Sequence, residues 1–98
     1  MMTKYDNEVL APELFAALQH RMKIISDILV ERINHDEKWT TQCHHEPGHW
    51  LAVVMEEVGE IAKECLESKD NSNLYNEIIQ AAAALAAWAE DIKRMNAQ

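Results

Sequence analysis

The sequence predicts an all-α fold, a small bundle of helices, on three observations. Two glycines and two prolines in 98 residues leave long stretches without backbone breakers, which favours helices over strands and tight turns. In three segments, apolar residues recur at every third or fourth position, the spacing of one helix face. Apolar residues make up 48% of the chain, enough for the core of one small domain. We therefore expect residues 1–98 to form a single helical domain.

The first predicted helix begins at Pro12, where the missing amide hydrogen does no harm, and runs to about Asn34. Residues 1–11, ahead of this helix, are expected to form a flexible N-terminal arm. The apolar spacing stops after Asn34, so residues 35–46 are predicted to be a polar loop. The stripe expected to be buried on this helix consists of Leu14, Leu18, Met22, Ile25, Leu29 and Ile33.

Two further helices are predicted, one opened by the second proline over about 47–68 and one over about 74–95. Ser72 or Asn73 is expected to cap the third helix, because short polar side chains accept hydrogen bonds from its first free amides. The alanine run at 81–84 would let other helices approach closely, so the third helix is expected to be central. The stripes expected to be buried are Leu51, Val54, Met55, Val58, Ile61, Ala62 and Cys65 on the second helix, and Ile78, Ala82, Leu85, Ala89, Ile92 and Met95 on the third.

Charge and composition narrow the class of protein. A net charge of −8 argues against binding to nucleic acid or to an anionic membrane, since both repel an acidic protein. No apolar run reaches the ~18 residues of a spanning helix, and no apolar signal region opens the chain. Cys43 and Cys65 lie far apart and do not indicate a disulfide framework. We expect a cytoplasmic protein whose small core is completed by association, as a homodimer or homotetramer.

The most informative motif is EEVGE at 56–60, followed by EIIQ at 77–80. Residues three apart share a helix face, so Glu57 pairs with Glu60, and Glu77 pairs with Gln80. If the two helices run antiparallel, three carboxylates and one amide oxygen converge, which suits a hard divalent cation. The alternative is a solvated acidic face. The like charges favour the cation, because unneutralised carboxylates at this spacing destabilise a helix and only Lys63 lies nearby.

With their flanking residues, these motifs resemble the MazG-like nucleotide pyrophosphohydrolases of the all-α NTP pyrophosphatase superfamily, in particular the short phage and mobile-element type. The resemblance covers roughly residues 30–92. It implies a helical bundle completed by oligomerisation and hydrolysis of a (deoxy)nucleoside triphosphate to the monophosphate and pyrophosphate. Mg²⁺, or Mn²⁺, would be the cofactor, and house-cleaning of the nucleotide pool the role. The segments that carry the resemblance are ERINHDEKWTTQCHH at 31–45, HWLAVVMEEVGEIAKECLE at 49–67 and LYNEIIQAAAALAAWAE at 74–90.

The resemblance also assigns roles to the acidic residues. Glu57, Glu60 and Glu77 match metal ligands of the family motif, EExxE followed by ExxD. Gln80 stands where the family usually has Asp, and its oxygen can coordinate a metal without supplying negative charge. Glu56 would orient the attacking water, or is a solvated neighbour. The alternative function is a non-catalytic module that dimerises, or binds a nucleotide or protein partner, with a degenerate metal site.

The 35–50 region supplies candidates for substrate binding. Lys38 has a point charge suited to phosphate; the alternative is an ordinary surface lysine. Trp39 and Trp50 flank the loop and could stack on a base, and Trp88 is a further candidate for substrate binding. The alternative for Trp50 and Trp88 is that they are core residues. His35 is the histidine that is expected to contact the substrate. Arg32 and Arg94 could assist Lys38. A zinc site is the third alternative, but adjacent histidines are awkward to aim at one metal and structural zinc needs four ligands at motif spacing. The candidate ligands of this zinc site are Cys43, His44, His45 and His49.

Overall fold

The computed structural model describes residues 11–67 and 70–97, which form three helices and no strand. Helix α1 is Pro12–Lys38, α2 is Pro47–Glu67 and α3 is Ser72–Asn96. The all-α prediction is confirmed. Except for Ala11, the predicted N-terminal arm lies outside the described residues.

Helix α1 begins at Pro12 as predicted but extends four residues beyond Asn34. The added turn is polar, so it has no apolar spacing to reveal it. It is held by contacts between residues four apart: Arg32 Nη2 lies 3.1 Å from Asp36 Oδ1, and the Trp39 amide donates to the His35 carbonyl at 2.8 Å. The prediction that residues 35–46 are all loop is therefore wrong for the first four.

The start of α3 also differs from the prediction. Neither Ser72 nor Asn73 caps the helix: Asn71 is the N-cap residue and makes no side-chain capping bond. Instead Asp70 Oδ1 accepts hydrogen bonds from the Ser72 amide at 3.0 Å and from its hydroxyl at 2.7 Å. The helix thus begins two residues before Leu74, within the polar turn.

Helix α3 is central, as its alanines predict, because it packs against both α1 and α2. Ala83 is fully buried, and Ala84 and Ala87 are nearly so, since their small side chains allow close approach of the neighbouring helices. Two polar contacts tie α1 to the same helix. Arg32 Nε donates to Glu90 Oε2 at 2.7 Å, and the Tyr75 hydroxyl donates to Asp27 Oδ2 at 2.6 Å.

The apolar stripe predicted to be buried on α1 is largely exposed in this chain; Met22 and Leu29, for example, are each 58% exposed. The reason is that α1 turns a different, partly polar face to α3, the one that carries Asp27 and Arg32. The prediction of burial is also wrong for several large residues of the stripes on α2 and α3. These exposed residues are Leu51, Met55 and Val58 on α2, and Ile78, Leu85, Ile92 and Met95 on α3.

No helix within 11–67 and 70–97 is both long and apolar enough to cross a membrane.

Candidate functional site

A cavity of about 390 Å³ lies where the end of α1, the loop after it and the first turns of α2 meet the alanines of α3. Ala84 and Ala87 form its α3 side. Glu56 and Glu57, from the acidic motif of α2, line the same cavity. The site therefore combines carboxylates with an aromatic wall. That wall consists of His35, Trp39, His45, His49 and Trp50.

The aromatic rings contact one another in two groups. His35 and Trp39 have ring centroids 4.9 Å apart and an interplanar angle of 45°. In the second group, the centroid of the His45 ring lies 4.1 Å from that of His49 and 4.9 Å from that of Trp50. Flat aromatic faces of this kind suit a planar aromatic ligand, which they can hold by stacking.

Trp50 is the anchored member of this wall and is only 5% exposed. Its indole Nε1 donates a hydrogen bond to Asp91 Oδ2 at 2.8 Å. The prediction that Trp50 is a core residue is confirmed, and its ring also lines the cavity.

The loop between α1 and α2 is held to α3 by polar contacts. His44 Nδ1 lies 2.9 Å from Asp91 Oδ1, and the His45 amide donates to Asp91 Oδ2 at 3.1 Å. Arg94 Nη2 donates to the Cys43 carbonyl at 2.9 Å. Hydrogen bonds from His44 and Trp50 lower the pKa of Asp91 to about 2, and the bond to Asp91 raises the pKa of His44.

Arg32 and Arg94 bring positive charge to the cavity. Arg32 is also paired with Glu90, and this hydrogen bond raises the pKa of the arginine and lowers that of the glutamate. Lys38 is exposed and does not line the cavity; its Nζ lies 5.4 Å from the centroid of the Trp39 ring. Of the predicted phosphate contacts, the structure thus brings the two arginines to the cavity and leaves Lys38 at its edge.

His35 and Trp88 occupy different places. His35 lines the cavity, and burial lowers the pKa of its imidazole. Its Nδ1 is buried without a hydrogen-bond partner among the described residues. Trp88 lines a second cavity of about 270 Å³, with His44, and not the first. The structure therefore does not bring Trp88 together with Trp39.

Helices α2 and α3 run antiparallel, the direction on which the expectation for the acidic motif depended. Trp50, at the start of α2, contacts Asp91 near the end of α3, whereas Glu57, further along α2, is influenced by Glu77 near the start of α3. Burial raises the pKa of Glu57, and the negative charges of Glu77, Glu60, Glu56 and Glu31 raise it further. Glu57 is therefore a carboxylate whose ionised form is disfavoured by its neighbours.

Of the other members of the predicted metal site, Glu60 and Glu77 lie close enough to Glu57 to raise its pKa, and Glu60, Glu77 and Gln80 do not line this cavity. Glu77 and Gln80 are partly buried on α3, and Glu60 is exposed on α2. Within the described ranges, no three His, Cys, Asp or Glu side chains form a ready-made metal cluster. This holds for the loop as well, where Cys43 Sγ and His45 Nε2 are 3.3 Å apart.

Several residues of the site escaped prediction from the sequence. His49 lies four residues before Val53, and Val53 lies three residues before Glu56 and four before Glu57. Helical spacing could therefore have placed His49 on the cavity face. Glu31 adds charge from α1, and no motif pointed to it. Asp91 is the acceptor for the loop, and no sequence motif points to that role.

In comparisons with known proteins, no family model, no curated protein and no solved structure matches this chain.

Proposed function

We propose that this chain is a metal-dependent nucleoside triphosphate pyrophosphohydrolase that converts a (d)NTP and water into the (d)NMP and pyrophosphate. The observation that carries the proposal is the shared cavity: the Glu56 and Glu57 carboxylates and a wall of aromatic rings line the same space. Trp50 and Glu57 are seven residues apart on α2, about 10 Å along the helix axis. A nucleotide can span that length from its base to its phosphates.

The metal site proposed is Glu57, Glu60, Glu77 and Gln80, with Mg²⁺ as the ion and Mn²⁺ as a substitute. Its donor types fit, because magnesium prefers oxygen ligands and is commonly bound by a few carboxylates and by substrate phosphates. Burial and the neighbouring negative charges raise the pKa of Glu57, and a bound cation would relieve the repulsion between these charges. When bound, the ion neutralises phosphate charge and polarises the reacting phosphoryl group. Glu56 lines the cavity and is proposed to orient the attacking water.

The base is proposed to bind between the aromatic rings. Trp39 is exposed and its ring contacts that of His35 at a tilt of 45°, while Trp50 is fixed by its bond to Asp91. Such surfaces hold nucleobases by their faces. Arg32 and Arg94 line the cavity and offer hydrogen-bond donors to the substrate. Lys38, at the edge, would assist with phosphate from outside.

A homodimer or homotetramer is proposed as the functional form, in the cytoplasm. The support is the exposed apolar stripe of α1, because monomeric proteins rarely leave large contiguous apolar patches uncovered. Its members are Leu18, Met22, Ile25, Leu29 and Ile33. Association of these faces would complete the core that the single chain lacks. With a net charge of −8, the assembly is not expected to bind nucleic acid or an anionic membrane.

The second candidate is a non-catalytic helical module that binds a nucleotide or protein partner. Gln80 favours it, because a neutral amide stands where the resembled family usually has a charged ligand. The two candidates share the cavity and differ in turnover.

The deciding experiment incubates the purified protein with Mg²⁺ or Mn²⁺ and a panel of NTPs and dNTPs, and measures pyrophosphate release. The enzyme proposal expects release with at least one nucleotide, and a fall of at least about a hundredfold in Glu57→Gln. Glu67→Gln, an exposed position at the end of the same helix, is the matched control and is expected to retain activity. No release from any nucleotide would leave the binding module.

A further inference from the structure

Asp91 is a buried carboxylate that the proposed reaction does not use. It is 3% exposed, and its two oxygens accept three hydrogen bonds, from His44 Nδ1, the His45 amide and Trp50 Nε1. Arg94 Nη2 lies 3.7 Å from Oδ1 and adds positive charge. A buried charge is tolerated where donors surround it in this way, and bonds to a charged acceptor are stronger than neutral ones.

All three donors come from the segment that walls the cavity, and none comes from α3 itself. His45 and Trp50 line the cavity, whereas Asp91 does not. One carboxylate thus fixes both the backbone of the loop and the ring of the first aromatic residue of α2. Replacing Asp91 would release these contacts without changing the identity of any side chain that lines the cavity.

We propose that Asp91 is a positioning residue, which holds His45 and Trp50 in the geometry that binds the base of the nucleotide. This inference rests on the proposed function, since it assigns the aromatic end of the cavity to the base. Asp91 acts through its hydrogen-bond donors, so its replacement weakens substrate binding more than it slows the chemistry at Glu57. A purely structural role would instead lower the stability of the fold and leave the binding constants of the folded fraction unchanged.

The test uses the full chain and the variant Asp91→Asn, whose amide keeps the shape but loses the charge and turns one acceptor into a donor. Amide hydrogen exchange across residues 43–50 is measured without nucleotide. The proposal expects exchange to be faster by about tenfold or more, the effect of weakening bonds to a charged acceptor. His44→Gln, which replaces the imidazole of an exposed side chain by an uncharged amide of different shape, is the second variant and is expected to loosen the same segment less. His20→Gln, on an exposed histidine of α1, is its matched control and is expected to leave exchange unchanged.

Steady-state kinetics with the best nucleotide of the panel then separates positioning from structure. Asp91→Asn is expected to raise KM by about tenfold and to change kcat by less than about threefold. Unchanged exchange at residues 43–50 in both variants would overturn the proposal, and so would faster exchange with unchanged KM. If the wild-type chain hydrolyses no nucleotide, the proposed function fails, while the exchange measurement still decides whether Asp91 holds the loop.

Discussion

The Trp50 indole donates to Asp91 Oδ2 at 2.8 Å, across 41 residues of chain, and so joins the first turn of α2 to the last turns of α3. The bond explains how a short polar loop can present an ordered aromatic wall. Asp91 also binds His44 and the His45 amide, so one carboxylate holds both the loop and the first turn of α2.

The first prediction concerns this bond. Trp50→Phe keeps an aromatic ring but removes the donor, and it leaves a buried carboxylate with one partner fewer. We expect the thermal unfolding midpoint to fall by roughly 4–8 °C, the shift of a small domain that loses about one strong hydrogen bond. The matched control is Trp88→Phe, because the Trp88 Nε1 has no hydrogen-bond partner among the described residues. Equal shifts in the two variants, measured by circular dichroism, would contradict the assigned importance of the bond.

The second prediction concerns pH. Asp91 raises the pKa of His44, so this contact stabilises the fold fully below the ordinary histidine pKa of 6.5 and is weakened as pH rises through the raised value. The pKa of Asp91 is lowered to about 2, so its contribution is present above its ordinary value of 3.8 and is lost as pH falls through about 2. Arg94 and Glu46 are the other charged groups near the pair: Arg94 Nη2 lies 3.7 Å from Asp91 Oδ1, and Glu46 Oε1 lies 3.6 Å from His44 Nε2.

The stability difference between wild type and His44→Gln should therefore be largest at about pH 5–6 and should shrink at about pH 8. Unfolding midpoints of both proteins across this range provide the measurement, with His20→Gln as the control. A difference that grows as pH rises would show that the imidazole and the carboxylate are not coupled as described.

How far the sequence could predict these features depends on the range of the interactions. Pro12 and Pro47 correctly predict where two helices begin, because proline fixes its own backbone angle and needs no amide partner in the first turn. The alanines of α3 predict that it is the central helix, because small side chains let two neighbours approach it. The last turn of α1 could not be recognised, because polar pairs such as Arg32 and Asp36 have no apolar periodicity.

Burial was harder to predict than spacing. The stripe through Met22 and Leu29 has the spacing of a buried face, but spacing does not say which neighbour covers it, and α3 takes another face. The site shows the same limit. Helix geometry and the family resemblance predict that Glu57 and Glu77 belong to one site. The role of Asp91 depends on partners more than 40 residues away, which no local pattern reveals.

The third prediction concerns Gln80. Gln80→Asp adds a negative charge beside Glu77 on α3, so we expect Mg²⁺ to bind more tightly, by about tenfold. Isothermal titration with Mg²⁺ measures the affinity, and Gln42→Glu, which adds a carboxylate to the exposed part of the loop, controls for net charge. An affinity that does not rise in Gln80→Asp would argue against an ion facing this residue.

The fourth prediction concerns association. Leu29→Glu places a charge in the exposed apolar stripe of α1, and we expect it to shift the assembly towards monomer by at least about tenfold in dissociation constant. Leu66→Glu is the control, because Leu66 is 87% exposed near the end of α2 and lies outside that stripe. Sedimentation equilibrium distinguishes the outcomes. A wild-type chain that is already monomeric at high concentration would contradict the proposed oligomer.

The most direct measurement of the central claim is the identity of the phosphorus products, followed by ³¹P nuclear magnetic resonance during reaction with Mg²⁺ and the best nucleotide of the panel. Cleavage between the α- and β-phosphates gives nucleoside monophosphate and pyrophosphate in equal amounts, and this is the result we predict. Glu57→Gln should show neither product, while Glu67→Gln should show both. Release of orthophosphate with nucleoside diphosphate, or equal rates in wild type and Glu57→Gln, would contradict the account.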